Sequence, residues 1–400
     1  METQLRENIH WVGFVDWNVR DFHSYDTHRG ATYNAYLIQD EKTALIDTVK
    51  GPYANELLQN ISRHTDPKSI DYVVCNHAEP DHSSALPAIM RAAPNATLVC
   101  SPKCVPILEA YFDTSDWKIQ VVKEGDTISL GNRTLQFIMT PMVHWPDSMF
   151  TYVPEEKLLF SMDGFGQHFA TSHRFDDENN LEKALHEAET YYANIVTPFG
   201  CQVVRTFEKV AGVPIEMIAP SHGVIWRSHI PEILAAYKKW ATGRLDPKVL
   251  IIYDSMWEST SRMAEAICDG ATINGVDVRI MHVRRCSLTE IATEALSASG
   301  VAFGSATLNR SMMPAAAAAL NYIKGLNPPP KACFAFGSYG WGIGGPEHIH
   351  EALVKMKWET TRDFIKAKFR PTEEILDLCR EAGRELAEAA LAKCAASRGE

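Results

Sequence analysis

Short apolar runs, each closed by polar or turn-forming residues, recur through the first half of the chain. Residues 31–38 and 43–47 read as paired strands across a polar turn at 39–42. Further runs at 70–74, 97–100, 118–122, 134–139, 149–153 and 158–161 also read as strands. Helical spacing marks 53–63, then 85–92 with Ser83 or Ser84 as its cap, 181–193 and 232–239. Strands outnumber helices, which predicts two sheets faced by helices in a layered α/β architecture.

The pattern changes after residues 243–247, a polar, turn-rich stretch, to regular alternation of strand and helix, which predicts domains at 1–245 and 246–400. Residues 249–253 are uninterruptedly apolar, as a strand covered on both faces should be. Strands are expected at 277–283, 301–304 and 331–336, and helices at 262–271, 288–298, 314–323, 347–356 and 373–392. Five strands with the second wound back beside the first give a flavodoxin-like, doubly wound parallel sheet, whose ligand lies at the carboxyl ends of the strands.

Composition narrows the class. The 400 residues are 46% hydrophobic with ordinary glycine and proline usage, as in a globular protein with sizeable cores. A formal charge of -11 disfavours nucleic acid or an anionic membrane as partner. The N-terminus lacks the apolar core of a signal peptide, and no apolar stretch is long enough to span a bilayer, so a cytoplasmic location is expected. Nine scattered cysteines without a C-x-x-C pair argue against a disulfide framework.

The densest chemistry lies in Cys75-Asn76-His77-Ala78-Glu79-Pro80-Asp81-His82, on the loop leaving the strand at 70–74. Alternate side chains share a side in extended backbone, and Pro80 biases Glu79 away from the helical region, so His77 and Glu79 can face one ion together. Asp81 and His82, past that bend, are better placed for a second. Imidazole alone suits zinc, whereas added carboxylates bring hard oxygen and charge, and the mixture leans to iron. A two-metal site needs more ligands. His144, Asp163 and His222 each follow an apolar run, although singly each is weak. His10, His23, His28, His64 and His173 are expected in surface or hydrogen-bonding roles, and His168, which could reach the site's edge, is left unassigned, with a supporting or structural role favoured over a ligand's. Tyr191 and Tyr192, at the end of a helix, are expected to pack rather than to donate protons near the metals.

The H-x-E-x-D-H pattern resembles the flavodiiron proteins, and differs from the H-x-H-x-D-H of hydrolytic metallo-β-lactamase-fold enzymes in having Glu79 where they carry His. The segments 142–149, 161–167 and 219–223 resemble the remaining ligand motifs of that family, in its order. The resemblance implies a metallo-β-lactamase-like αββα sandwich in which His77, Glu79 and His144 bind one iron, Asp81, His82 and His222 bind another, and Asp163 bridges. Four neutral imidazoles and three carboxylates against two ferrous ions leave a net charge of about +1.

In the second half, a strand runs into Ser255-Met256-Trp257-Glu258-Ser259-Thr260, a hydroxyl-rich loop that opens a helix and offers N–H groups to a phosphate. It lacks the glycines and lysine of a P-loop and resembles the loop with which flavodoxins hold flavin mononucleotide (FMN). Ser305, Thr307, Leu308 and Asn309, and Ser338, Tyr339, Gly340, Trp341 and Gly342, resemble the flavin-contacting loops of flavodiiron proteins. Trp257 or Trp341 could cover the ring, whereas a carboxylate at Glu258 must turn outward from the phosphate.

Four-electron reduction of dioxygen to water is the activity this resemblance implies, nearest the rubredoxin:oxygen oxidoreductases of anaerobic bacteria. Reduction of nitric oxide to nitrous oxide at the same ligands is the alternative. It further implies a head-to-tail homodimer and, since no cysteine-rich module follows at the C-terminus, rubredoxin as a separate donor docking through a local patch near the flavin edge. A zinc hydrolase with a flavodoxin domain, and a pure electron-transfer module, are the rivals; Glu79 argues against the first and the full ligand set against the second.

Overall fold

The computed structural model describes residues 3–399. They form two compact units: the chain up to Tyr191 with Cys201–Lys238, and Tyr192–Gly200 with the chain from Lys239 onward.

In the first unit a seven-stranded sheet runs in the order Gln4–Arg6, Ile9–Trp11, Tyr36–Ile38, Thr43–Ile46, Ile70–Cys75, Thr97–Cys100 and Lys118–Val121. A five-stranded sheet follows Thr127–Ser129, Thr134–Met139, Met149–Val153, Leu158–Met162 and Met217–Pro220. Strand periodicity builds the layers. Leu37, Leu45, Val73 and Leu98 point to a core beneath the helices Ala54–Ser62, Leu86–Ala92 and Cys104–Tyr111. Their neighbours Ile38, Ile46, Val74 and Val99 point the other way, onto Phe137, Met149, Phe160 and Met217 of the second sheet. The outer face of that sheet carries Ile138, Phe150, Tyr152 and Leu159. The unit is therefore the αββα sandwich of the metallo-β-lactamase-like class.

In the second unit the parallel order is Asp277–His282, Asp246–Asp254, Ala298–Ser305, Ala332–Tyr339 and an edge strand broken into Glu359–Thr360 and Ile365–Lys368. Val249, Ile251 and Phe334 face helices Ser259–Ala271 and Glu373–Arg398, whereas Leu250, Ile252 and Phe303 face the opposite core with Ile291, Leu320 and Ile349. This is a flavodoxin-like sheet, covered on both faces. No helix among the described residues is long and apolar enough to cross a membrane.

Several local expectations are corrected. Residues 31–38 are two strands, because the ladder breaks at Asn34, whose N–H donates to Ser221 O at 2.8 Å: Ala31–Tyr33 pairs with Phe14–Asp16, and only Tyr36–Ile38 pairs with Thr43–Ile46. Neither Ser83 nor Ser84 caps Leu86–Ala92; they lie in and just after a helical turn, Pro80–Ser83, and donate to the carbonyls of Ala78 and Pro80. The helix expected over 181–193 stops at Tyr191, where a π-helical turn, Tyr192–Val196, begins.

Candidate functional site

Four chain segments converge at the ends of the two sheets. His77 and Glu79 leave the strand Ile70–Cys75, and Glu79 is extended (φ -56°, ψ 139°), as the following proline requires. Asp81 and His82 sit on the helical turn that Pro80 starts. His144 precedes Met149–Val153, Asp163 follows Leu158–Met162, and His222 follows Met217–Pro220. Gln167 pins the last two loops together: its Oε1 accepts from Val224 N at 2.6 Å, and its Nε2 donates to Phe165 O at 3.2 Å. Gly223 is obligatory there, since at φ +80° a Cβ would fall 1.8 Å from Gln167 Oε1.

The seven side chains fall into two groups that share one carboxylate. On one side, Glu79 Oε2 lies 3.2 Å from both His77 Nε2 and His144 Nε2. Asp163 Oδ2 completes this group, 3.7 Å from His77 and 3.4 Å from His144. On the other, Asp81 Oδ2 is 3.3 Å from His82 Nε2 and 3.1 Å from His222 Nε2. Asp163 Oδ1 stands 3.0 Å and 3.5 Å from the same two nitrogens. Metal bonds of ~2.1 Å put neighbouring ligand atoms about 3.0–3.4 Å apart, so each group is sized for one ion. Asp81, His82 Nε2, His144 Nε2, Asp163 and His222 Nε2 are buried and aimed inward without a hydrogen bond. Such atoms are costly to bury unless an ion takes them up, so the donor set fits a pair of metals.

The far sides of the imidazoles are fixed. His77 Nδ1 donates to Asp147, whose Oδ2 also accepts from Ala78 N at 2.7 Å. His222 Nδ1 donates to Thr32 O at 2.6 Å. Each bond leaves Nε2 as the lone-pair nitrogen that faces the metal position. Asn76 is held by Asp47 through its N–H at 2.8 Å and its Nδ2 at 2.9 Å, which fixes the strand end carrying His77. Charge pairing dominates the titration. Burial opposes the charged form of His82 and His144, but Asp81 and Asp163 for the first, and Asp163 and Glu79 for the second, raise both to about 9. Burial likewise opposes ionisation of Asp163, yet the surrounding imidazoles hold it well below the ordinary carboxylate range.

His23, expected in an ordinary surface or hydrogen-bonding role, lies at this site. It occupies the turn of a hairpin between Asp21–Phe22 and Tyr25–Asp26, with φ of 53° at His23 and 62° at Ser24. Its Nε2 is 3.2 Å from Glu79 Oε1 and 3.9 Å from Asp81 Oδ2. A lone histidine in a short loop gives no pattern to find; the reversal His23-Ser24 is the only signal. His168 is buried against His222, with ring centroids 4.7 Å apart, and Tyr191 packs on His168 at 5.1 Å. Burial and the neighbouring imidazoles push the pKa of His168 well below its ordinary value. Tyr192 belongs to the second unit, where its ring lies 5.3 Å from Trp240.

In the second unit a cavity of about 980 Å³ opens at the carboxyl ends of the strands. Met256, Trp257, Glu258, Ser259, Thr307, Leu308, Asn309, Ser338, Tyr339, Gly340, Trp341 and Gly342 line it. Ser255, Thr260 and Ser305 do not. Buried beneath it, Ser255 Oγ accepts from Ser261 N, Thr260 Oγ1 pairs with Ser338 Oγ at 2.9 Å, and Ser305 Oγ accepts from Met313 N at 2.9 Å. They hold the loops rather than form the wall. Arg262, Arg310, Phe369 and Arg370 also line the cavity, the last two from the end of the edge strand whose short segments escaped sequence reading. Trp257 and Trp341 are 84% and 97% exposed, so neither packs in the core. Glu258 takes a left-handed conformation (φ 63°) at the N-cap of Ser259–Ala271, and its exposed side chain stays on the cavity wall.

Together these features define a two-metal, metallo-β-lactamase-like unit joined to a flavodoxin-like one. Residues 31–223 match the family described as ODP family beta lactamase, and residues 251–383 match flavodoxin. A nitric oxide reductase of Moorella thermoacetica is 43% identical over 388 residues, covering 96% of this chain and 97% of that protein. The solved rubredoxin oxygen:oxidoreductase of the anaerobe Desulfovibrio gigas is 40% identical with a TM-score of 0.96, covering 99% of this chain and 100% of that one. The flavodiiron protein of Giardia intestinalis is 39% identical with a TM-score of 0.94, over 99% and 98% of the two chains. The chain belongs to the flavodiiron proteins.

Proposed function

We propose that this oxidoreductase takes dioxygen to water at two iron ions, using electrons that rubredoxin delivers through bound FMN. His77, Glu79 and His144 would hold one ion, Asp81, His82 and His222 the other, and Asp163 both. The observation that carries this reading is the division of Asp163, with Oδ2 toward the first group and Oδ1 toward the second. When bound, two ferrous ions and a reduced flavin supply four electrons, the number that dioxygen needs to become water.

The chain's own residues account for the rest. Asp147 and the Thr32 carbonyl orient His77 and His222, and the buried site excludes bulk water. His23 Nε2 holds a proton above Glu79 Oε1; burial disfavours this charge, but Glu79 and Asp81 outweigh that and raise its pKa. Reduction of dioxygen consumes protons, and His23 stands where one is needed. In the second unit, the N–H groups opening Ser259–Ala271 would receive the phosphate and the two exposed indoles would border the ring.

The Moorella relative, a nitric oxide reductase by name, supports a second reading, reduction of nitric oxide to nitrous oxide, at the same side chains. Anaerobically reduced protein mixed with each gas in turn tests both. Four electrons consumed per dioxygen without released peroxide supports the first reading, and faster turnover with nitric oxide supports the second. His82→Ala should keep its flavin and lose both activities. Unchanged rates in that variant contradict the ligand assignment.

We further propose a head-to-tail homodimer, tested by its mass in solution. For the donor, Arg262, Arg310 and Arg370 at the flavin cavity supply a local basic patch on a chain of net charge -11, which suits an acidic partner. A cytoplasmic location is supported by nine free cysteines.

A further inference from the structure

The outer face of the five-stranded sheet has an imperfectly filled core. Helix Gly200–Val210 brings Val203, Thr206, Phe207 and Val210, at helical spacing, over Phe150, Leu159 and Ile218 of the sheet. A cavity remains between them. Its volume is about 20 Å³, on a measure by which ~10–15 Å³ suffices for one water molecule.

The wall is apolar throughout, because its polar atoms are engaged elsewhere. Tyr237 OH accepts from Phe165 N at 2.9 Å, and Thr206 Oγ1 donates to Gln202 O at 3.0 Å. A cavity of this kind does not hold water, which would find no hydrogen-bond partner, but it accepts small apolar molecules. Its inner end is formed by Val143 and Gly164, each one residue from a side chain of the metal site, His144 and Asp163. Its outer end is closed by half-buried side chains, Thr206, Phe207, Val210, Ile215 and Leu234. Side-chain motion there admits a diatomic molecule more readily than anything larger.

We propose that this cavity is a holding site for the diatomic gas, filled from the helix side and emptied toward the metals past Val143 and Gly164. The inference rests on the gas-reducing reading above. It supplies what the charged, hydrogen-bonding metal site lacks: a compartment into which an apolar substrate partitions from water before it reacts.

The test is xenon-pressurised crystallography of the holoenzyme, paired with gas kinetics. Xenon is expected between Leu159, Val203 and Phe165. Val203→Phe should expel it and lower kcat/KM for the gas several-fold, with kcat at saturating gas, iron content and flavin content unchanged. If that variant fails to fold, Thr206→Phe at the half-buried rim serves the same purpose, and Phe207→Ala should raise xenon occupancy. No xenon in the wild-type cavity, or a filled cavity with unchanged kcat/KM, overturns the inference while leaving the reductase reading intact. A wild-type protein that reduces neither gas overturns that reading instead.

Discussion

His23 Nε2 lies 3.2 Å from Glu79 Oε1, on the side of the carboxylate away from His77 and His144. Glu79 thus faces the metal position with one oxygen and a proton carrier with the other. His23→Leu should retain iron and flavin but lower turnover by about 100-fold, the lower end of what a positioned proton donor contributes. His23→Gln, which keeps a hydrogen bond but cannot shuttle a proton, should likewise keep the iron spectrum and fail to restore the rate. Iron loss in both variants would make His23 a metal ligand instead.

Without metal, the paired imidazoles make stability depend on pH. His82 and His144 titrate near 9 in the folded chain, against an ordinary value of 6.5. Their raised folded-state values stabilise the metal-free protein fully below pH 6.5, and this contribution is lost as pH rises through about 9. Thermal melts of metal-free protein should show Tm falling by several degrees across that window. Iron-loaded protein, whose imidazoles coordinate in neutral form, should not show the fall. A flat Tm for the metal-free form contradicts the charge-pairing account.

Trp341 is almost fully exposed, so its removal should leave the fold untouched. Trp341→Ala should weaken flavin binding by about 1 kcal/mol, the scale of an aromatic stacking contact. Titration of the flavin-free protein, followed by quenching of flavin fluorescence, measures this. Unchanged affinity would remove the indole from the flavin site.

The basic patch at the flavin cavity makes donor turnover sensitive to salt. Raising ionic strength from low to physiological should lower kcat/KM for rubredoxin while leaving dithionite-driven gas reduction unchanged. Arg370→Glu should reproduce that loss at low salt. Donor kinetics indifferent to both would place docking elsewhere.

How much of this was legible in the sequence follows from how each signal is encoded. Val73 and Val74, or Leu45 and Ile46, face two different cores, so neighbouring positions are both apolar, and the short unbroken runs that result are what exposed the sheets. The edge strand of the second unit is broken into segments of two and four residues, too short for any period to show. At the metal site, His77, Glu79, Asp81 and His82 were visible because they share one loop. His144, Asp163 and His222 were visible only as polar residues after apolar runs, and resemblance to a family grouped them. Nothing grouped His23, since a two-residue hairpin turn brings it in from a distant part of the chain. Most of the residues expected to contact flavin line the cavity, whereas the hydroxyls of Ser255, Thr260 and Ser305 hydrogen-bond within the loops, a choice that depends on packing.

The central claim is that one carboxylate, Asp163, joins two iron positions, and metal analysis of freshly isolated, active protein tests it most directly. Two irons and one FMN per chain are predicted for the wild type, with both irons lost and the flavin kept in Asp163→Ala. Zinc in place of iron in active material, or an Asp163→Ala protein that still carries two irons, would contradict it.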